Sequence, residues 1–210
     1  AERLRKRYAK ILEEDGGILD KCTTTIIQQV DDLKNLVNEF AQFARMPSVQ
    51  LMSHDLNEIV SEALVLFREG HSGIQFQFQP GAIPPVELDR DQMRRVLMNL
   101  LDNAVAAVQG AGEIKVSTNY ESARGKVTLE VADNGCGLAP EIRAKIFEPY
   151  FSTKENGTGL GLTIVSQIVE DHRGYIRAWP NTPQGIRIII ELPAGQEPAI
   201  PIAVKNALHS

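Results

Sequence analysis

Apolar residues in the first quarter of the chain recur with a spacing that predicts long helices. Between residues 26 and 44 the intervals between apolar positions alternate between four and three, which is typical of a helix packed lengthwise against another. These positions are Ile26, Val30, Leu33, Val37, Phe40 and Ala44. A shorter helical pattern covers residues 1–14, and Asp15-Gly16-Gly17 predicts a turn between the two. We therefore predict a helical hairpin over residues 1–46.

The apolar face of the second predicted helix is wider than a two-stranded seam needs. Ile27, Leu36 and Phe43 extend it. A second copy of the hairpin would bury such a face in a four-helix bundle. Packing of both helices on the domain that follows is the alternative. We predict the first arrangement, a homodimer formed through the hairpin.

Beyond Pro47 the pattern changes to short strands and shorter helices. Proline disfavours helical angles at the residue before it, so the long helix ends near Met46, and residues 47–53 are interpreted as a linker. The elements predicted next are a helix capped by Ser53 or Asp55, a strand at 74–78, a helix at 91–108, strands at 113–120 and 126–132, a short helix at 140–146, a helix at 160–172 with Gly174 as its C-cap, and strands at 175–179 and 186–192. Residues 196–210 have weak patterning and are assigned to a tail.

Composition narrows the class of protein. An apolar fraction of 43% in 210 residues is enough for a sizeable core. A net charge of −5 argues against a nucleic-acid-binding protein. Cys22 and Cys136 are far apart in sequence, which is typical of a reducing cytoplasm rather than a disulfide scaffold. No apolar run is long enough to span a membrane and no signal peptide is present, so we expect a cytoplasmic piece of a longer protein.

The first motif with chemical meaning lies where a predicted strand ends. Residues 127–132 are rich in β-forming residues, so Asp133 falls at the strand end and Asn134-Gly135 begins a turn. A carboxylate at this place can accept a hydrogen bond from an exocyclic amine. Gly135 and Gly137 can adopt backbone angles that other residues avoid, which leaves room for a flat ring. This end suits a nucleobase.

The second motif is a group of glycines that precedes an apolar helix. Gly157, Gly159 and Gly161 expose backbone N–H groups at the positive end of the helix from Leu160 to Val169, which favours phosphate. The spacing is not that of a dinucleotide fingerprint, and no Gly-Lys-Ser/Thr of a P-loop follows. This end suits a polyphosphate.

A third motif lies on the predicted helix at 91–108. Asn99 and Asn103 are four residues apart and therefore share one helix face. A carboxamide oxygen is a suitable ligand for Mg²⁺, which takes further ligands from water and from nucleotide phosphates. The third motif therefore adds a metal ligand to the predicted nucleobase and polyphosphate ends.

Four motifs follow one another in an order that resembles a known family. They are NLLDNA at 99–104, DNGCGL at 133–138, FEPYFSTK at 147–154 and GTGLGL at 157–162. The order resembles the ATP-binding domain of sensor histidine kinases, which belong to a superfamily with gyrase, heat-shock chaperones and mismatch-repair ATPases. The resemblance covers residues 1–195. It implies an α+β fold, with the incomplete hairpin followed at 54–195 by an α/β sandwich that has a mixed, mostly antiparallel sheet.

The resemblance also implies roles for individual residues and two cofactors, ATP and Mg²⁺. Asp133 would hold the adenine amino group, Asn103 would be the metal ligand, and Phe147 and Phe151 would anchor a mobile lid. Lys154 is open to two interpretations, a contact to the γ-phosphate or a solvated loop lysine. The implied nucleotide-binding set is Asn99, Asn103, Asp133, Gly135, Gly137, Phe147, Phe151, Lys154, Gly157, Thr158, Gly159, Leu160, Gly161 and Leu162.

The residue at position 99 bears on what is done with ATP. The hydrolysing relatives are similar to one another in having a glutamate there to activate water, whereas this chain has Asn99. An amide is a poor proton acceptor, so the site favours phosphoryl transfer to a group held elsewhere. We predict a histidine kinase fragment. The alternatives are a pseudokinase that senses nucleotide without transfer, and a serine kinase of the anti-sigma type.

The acceptor histidine is expected outside this chain. The family pattern places it upstream of a segment that resembles the opening Ala1-Glu2-Arg3-Leu4-Arg5. None of His54, His71, His172 and His209 fits that pattern, and His172 at a helix C-terminus is interpreted as a partly cationic ring that the helix dipole favours. The fragment is therefore expected to lack autophosphorylation.

The same resemblance suggests partners and a pathway. Residues 31–47 resemble NtrY-type kinases of bacterial nitrogen regulation. The resemblance implies that the partner is the receiver domain of a response regulator and that no nucleic acid is bound. It also implies attachment to the bacterial inner membrane only through segments missing from this chain. One departure concerns the last strand, where Ile186 rather than threonine follows Gly185.

Overall fold

The computed structural model describes residues 3, 16–44, 48–143, 145–152 and 157–194. Its elements are α1 (Gly16–Ala44), β1 (Met52–His54), α2 (Leu56–Gly70), β2 (Ile74–Gln79), β3 (Val86–Leu88), α3 (Arg90–Val108), β4 (Gly112–Glu121), β5 (Lys126–Asp133), α4 (Pro140–Arg143), α5 (Gly161–Asp171), β6 (Tyr175–Pro180) and β7 (Ile186–Pro193). Apart from residue 3, the predicted helix at residues 1–14 lies outside the described residues, and so does the tail at 196–210.

Helix α1 confirms the long helix that the heptad spacing predicts. It starts at Gly16, so the turn predicted over Gly16-Gly17 is wrong. Glycine costs little stability in the first turn of a helix, where the N–H groups lack helical partners in any case. A glycine pair at this place is therefore weak evidence for a turn. The seam positions Ile26, Val30 and Leu33 are between 53% and 60% exposed, so no described residue covers this part of the apolar face.

The central sheet has five strands in the order β2-β4-β5-β7-β6. Strands β2 and β4 are parallel, and the three other neighbouring pairs are antiparallel. The predicted mixed, mostly antiparallel sheet is therefore confirmed. Strand β5 lies in the middle and ends at Asp133, as the sequence predicts.

A second, two-stranded sheet was not predicted. Strand β1 pairs antiparallel with β3, with Met52 opposite Leu88 and His54 opposite Val86. Assignment of residues 47–53 to a linker is therefore wrong for Met52 and Ser53. Strands of three residues are too short to show alternation, and this pairing joins residues more than thirty positions apart.

Three helices cover one face of the central sheet. Helix α3 contacts both α2 and α5. Asp55 rather than Ser53 caps α2, and Asp89 caps α3 by accepting hydrogen bonds from the N–H groups of Asp91 and Gln92. The core between helices and sheet includes Ile59, Ala63, Leu97, Leu101, Ile164, Ile168, Ile114, Val116, Leu129 and Ile190. No helix in the described ranges is both long and apolar enough to cross a membrane.

The end of α5 differs from the predicted glycine cap. The left-handed residue is Arg173, with φ of 57°, rather than Gly174. A Cβ on Gly174 would lie 2.7 Å from the carbonyl oxygen of Glu191, so this glycine permits close packing of the chain on β7. The short helix predicted at 140–146 covers only Pro140–Arg143.

Candidate nucleotide-binding site

Asp133 is a buried carboxylate with one oxygen fixed by the backbone. It is 8% exposed, and its Oδ1 accepts hydrogen bonds from the N–H groups of Gly135 at 2.9 Å and Ile186 at 3.3 Å. Among the described residues nothing donates to Oδ2. Oδ2 is therefore the carboxylate oxygen that can accept a hydrogen bond from a ligand.

Burial also changes the ionisation of this carboxyl. Removal from water raises the pKa of Asp133, and the hydrogen bonds from Gly135 and Ile186 partly oppose that shift. A ligand N–H on Oδ2 would favour the ionised form for the same reason as the two backbone donors. The site therefore rewards a ligand that donates a hydrogen bond here.

Two glycines face each other beside Asp133. Gly137 has φ of 72° and Gly185 has φ of 107°, and a Cβ on Gly137 would lie 3.5 Å from the carbonyl oxygen of Gly185. A Cβ on Gly185 would lie 1.9 Å from the carbonyl oxygen of Asp133. Backbone rather than side chains therefore lines this edge of the site, and the room for a flat ring expected from Gly137 stays a prediction.

Gly135 has a different function from the one the sequence suggests. A Cβ there would lie 2.5 Å from the carbonyl carbon of Ala107 in α3, so Gly135 is needed for packing on that helix rather than to leave room for a ring. Its neighbour Cys136 donates its N–H to the Ala107 carbonyl oxygen at 3.2 Å. The turn after β5 is thus attached to α3.

Sequence reasoning missed Asn181 and the N–H of Ile186 in this part of the site. The Asn181 Nδ2 donates to the carbonyl oxygen of Asp133 at 2.7 Å, and the Asn181 N–H donates to the Gly185 carbonyl at 3.0 Å. Residues 180–185 read only as a turn, although an asparagine in a turn that also contains Gly185 could have suggested a fixed loop.

Helix α3 connects the two ends of the site. Asn99 lies beside the start of α5, because a Cβ on Gly161 would be 3.0 Å from the Asn99 Oδ1, and its Nδ2 donates to the Arg95 carbonyl at 3.0 Å. Asn103 is one turn further along the same face and is partly exposed. Ala107, another turn on, meets Gly135. Asn99 and Ala107 are therefore about 12 Å apart along the axis, and Asn103 lies between the two ends.

The start of α5 carries backbone donors suited to an anion. Leu160 precedes it with helical angles, and among the described residues no side chain accepts from the first N–H groups of the helix. The first N–H groups of a helix lack partners within it, and the dipole makes this end positive. Leu160 itself is 1% exposed and fixes the helix start in the core. The backbone of Gly161 and Leu162 therefore presents donors where the sequence predicts phosphates.

The segment before α5 packs on the base of the predicted lid. Gly159 has φ of 71°, and its Cβ position would be 2.5 Å from the carbonyl carbon of Tyr150 and 2.7 Å from the nitrogen of Phe151. The Thr163 hydroxyl lies 3.3 Å from the Phe147 carbonyl oxygen. The lid base is thus close to α5; Gly157 and Thr158 are described, and Lys154 lies outside the described residues.

The donors for a metal ion are few. No group of three or more His, Cys, Asp and Glu side chains that could hold an ion occurs in the described ranges. The Asn103 carboxamide is an oxygen donor suited to Mg²⁺, which commonly binds through few protein ligands and the phosphates of its nucleotide. The residues present therefore fit a metal that arrives with a triphosphate.

The interpretation of His172 as a partly cationic ring is wrong. It is 2% exposed, its Nε2 accepts the N–H of Asp89 at 2.9 Å, and its Nδ1 lies 2.7 Å from the Ile168 carbonyl oxygen. A ring that accepts at one nitrogen and donates at the other is neutral. Burial could not be read from the helix-end position alone.

The chain belongs to the family of histidine kinase-, DNA gyrase B- and HSP90-like ATPases, whose model matches residues 88–196. Nitrogen regulation protein NtrY of Azorhizobium caulinodans is 39% identical over 183 residues, which are 84% of this chain and 24% of NtrY. The chain thus spans only part of that protein. The expected resemblance to NtrY-type sensor kinases is confirmed.

Two solved structures share the fold. Full-length ShkA in complex with AMPPNP has a TM-score of 0.70 and 28% identity over 83% of this chain and 38% of its own. Histidine kinase ThkA in complex with response regulator TrrA has a TM-score of 0.71 and 28% identity over 92% of this chain and 65% of its own. The fold described above is therefore that of histidine kinase ATP-binding domains.

Proposed function

We propose that this chain is the nucleotide-binding part of a sensor histidine kinase, which holds Mg-ATP for transfer of the γ-phosphate to a histidine. The observation that carries the proposal is the buried Asp133, whose Oδ2 has no partner among the described residues, next to the close approach of the Gly137 and Gly185 backbones. An adenine amino group supplies the missing donor. The related fold of ShkA binds AMPPNP, an analogue of ATP, which supports the choice of nucleotide.

The remaining parts of the site would act on the phosphates. The N–H groups at the start of α5 would bind them, with the backbone from Gly157 to Leu162 wrapped around them. Asn103 would hold Mg²⁺, whose chemistry is to neutralise charge on the transferred phosphoryl group. Asn99 would help to position the phosphates rather than activate a water molecule, because its amide is a poor base.

The proposal extends to organisation and partners. Residues 1–46 would form a dimerisation hairpin and residues 54–195 the ATP-binding domain, which the pairing of β1 with β3 extends to Met52. The exposed seam of Ile26, Val30, Leu33 and Val37 supports pairing of two copies. The receiver domain of a response regulator would accept the phosphate, as the ThkA complex with TrrA suggests.

The nucleotide site is tested by Asp133→Asn, with Asp91→Asn on the exposed first turn of α3 as the matched control. Calorimetric titration with Mg-ATP should show a dissociation constant raised by at least about tenfold for Asp133→Asn, because the amide presents a donor to the adenine donor. Asp91→Asn should bind as the native chain does. Native affinity in a folded Asp133→Asn chain would contradict the adenine contact.

The reaction is tested with labelled Mg-ATP and a separate helical hairpin that carries an accessible histidine. Label on that histidine supports the kinase. Label on a serine of an added partner protein would support an anti-sigma-type kinase, and nucleotide bound without any transfer would support a pseudokinase.

A further inference from the structure

A groove separate from the phosphate and adenine ends lies between α4 and the edge strand β6. Its volume is about 370 Å³, and we call it the β6 groove. It is lined by Pro140, Arg143, Phe147, Arg177, Ala178 and Trp179. Of these, only Phe147 belongs to the predicted nucleotide set. The groove therefore needs an explanation of its own.

Arg143 gives the first indication of what the groove binds. Its Nε is buried and has no hydrogen-bond partner in the described part of the chain. A guanidinium N–H removed from water without an acceptor is unfavourable, and carboxylates and phosphates are the acceptors that best match the guanidinium fork. An acceptor that arrives from outside would satisfy it.

Arg177 places a second cation on the same groove. It is exposed on β6 and forms no ion pair with any described residue. The pKa of the nearby Glu191 is lowered mainly by its hydrogen bond to the Lys126 Nζ at 2.7 Å and to a lesser extent by the charge of Arg177, so Arg177 is only partly compensated. Two guanidinium groups on one groove without a direct ion pair favour an acidic occupant.

The apolar side of the groove includes aromatic rings. Trp179 lines it and is 48% exposed. Phe147 contributes from the segment after α4. Exposed tryptophan beside arginine is a combination that often carries much of the binding energy at protein interfaces.

Strand β6 also has a free backbone edge. It pairs with β7 on one side and is the last strand of the sheet, so no described strand pairs with its outer edge. Such an edge can pair with an extended segment of another chain. An extended segment beside β6 would bring alternate side chains to the groove.

We propose that the β6 groove binds an extended acidic segment of a partner protein, with a carboxylate on Arg143 and Arg177 and an apolar side chain against Trp179 and Phe147. Two guanidinium groups do not form the extended basic stripe typical of a nucleic-acid site, so a short protein segment is the occupant. The inference does not depend on the proposed kinase activity, because the groove residues other than Phe147 lie outside the predicted nucleotide set.

Trp179 provides a direct readout, because it is the only tryptophan in the chain. Its fluorescence is measured without nucleotide during titration with a pool of seven-residue peptides in which glutamate alternates with apolar residues. The matched pool has glutamine in place of glutamate. The acidic pool should change the Trp179 emission with saturation, and the amide pool should bind at least about fivefold more weakly, since charge-assisted hydrogen bonds are roughly twice as strong as neutral ones.

Variants test whether the peptides bind in the groove. Arg177→Gln and Arg143→Gln should each lower the affinity for the acidic pool by at least about fivefold. Arg143→Lys should restore that affinity only in part, because lysine lacks the forked donor of arginine. Arg124→Gln, on the exposed β4–β5 turn, is the control and should bind as the native chain does. Thermal melts verify that each variant is folded.

Several outcomes would overturn the proposal. The first is equal binding of both pools. The second is no change in Trp179 emission up to a peptide concentration of about 1 mM, which covers dissociation constants in the micromolar range. The third is full affinity of Arg177→Gln for the acidic pool. Displacement of the acidic pool by inorganic phosphate at matched ionic strength would identify a simple anion site instead. Tighter binding of oligothymidine than of peptide would identify a nucleic-acid site.

Discussion

The two ends of the candidate nucleotide site are built in different ways. At the strand end, Asp133 is held through its side chain and its backbone by Gly135, Ile186 and Asn181. At the helix end, α5 starts without a side-chain cap. A fixed carboxylate requires a donor at one place, whereas a helix end attracts negative charge from a range of directions.

The glycines at the two ends differ in the same way. Gly185 has no space for a Cβ, because backbone atoms of Asp133 fill it. The first contact of a Cβ on Gly161 would be with the side-chain oxygen of Asn99 at 3.0 Å, and a side chain can move. We infer that the strand end is rigid and sets selectivity, while the helix end adapts.

Gly185→Ala should have the largest effect. A Cβ would lie 1.9 Å from the Asp133 carbonyl oxygen, at a φ of 107° that alanine rarely adopts. We expect the free energy of unfolding to fall by about 3 kcal/mol or more. Urea denaturation measures it, with Gly70→Ala, where nothing lies within 4 Å, as the control. Equal stability of the two variants would mean that the strand end is not rigid.

Gly161→Ala should have a smaller effect, which falls on nucleotide affinity rather than on the stability of the fold. The added methyl group crowds the first N–H groups of α5 and displaces Asn99, at a stability cost under about 1 kcal/mol. The dissociation constant for Mg-ATP should rise by about fivefold, which corresponds to about 1 kcal/mol. Calorimetric titration should show no change for adenosine.

Asp133→Asn is the complementary variant in the same titrations. It should lower the affinity for adenosine and for Mg-ATP by similar factors, since both ligands carry the amino group. If Gly161→Ala lowered the affinity for adenosine as much as that for Mg-ATP, the separation of the two ends would be wrong.

The smallest expected effect is a pH dependence that originates at Asp133. Burial raises its pKa above the ordinary value of 3.8, against the hydrogen bonds from Gly135 and Ile186. The folded state therefore holds this proton more tightly than the unfolded state. Its contribution to stability is fully present below pH 3.8 and is lost as the pH rises through the raised pKa.

Asp133→Asn does not titrate and isolates that contribution. The free energy of unfolding of the native chain minus that of the variant should fall as the pH rises over this interval and stay constant above it. Urea denaturation at a series of pH values measures the difference. A difference that grows with pH would show that the hydrogen bonds outweigh burial.

Local sequence patterns predicted the elements that carry the site. The run of β-forming residues and the Asn-Gly turn placed Asp133 at the end of β5, and the four-residue spacing placed Asn99 and Asn103 on one face of α3. These are properties of neighbouring residues, which a sequence shows directly. The heptad spacing of α1 was visible for the same reason.

Features that depend on distant residues could not be predicted in this way. The pairing of β1 with β3, the N–H of Ile186 on Asp133, and the packing of Gly135 on Ala107 each join parts of the chain that only the fold brings together. The neutral state of His172 has the same origin, because its partner Asp89 is 83 positions away.

Asp89 connects three parts of the molecule through one residue. Its Oδ1 caps α3, its Oδ2 accepts the N–H of Gln50 at 3.1 Å, and its own N–H donates to His172 at the far end of α5. The residue that precedes β1 by two positions, Gln50, is thereby linked through Asp89 to both helices of the candidate site. A backbone rotation at Gln50 would change its hydrogen bond to Asp89 and with it the cap at the start of α3.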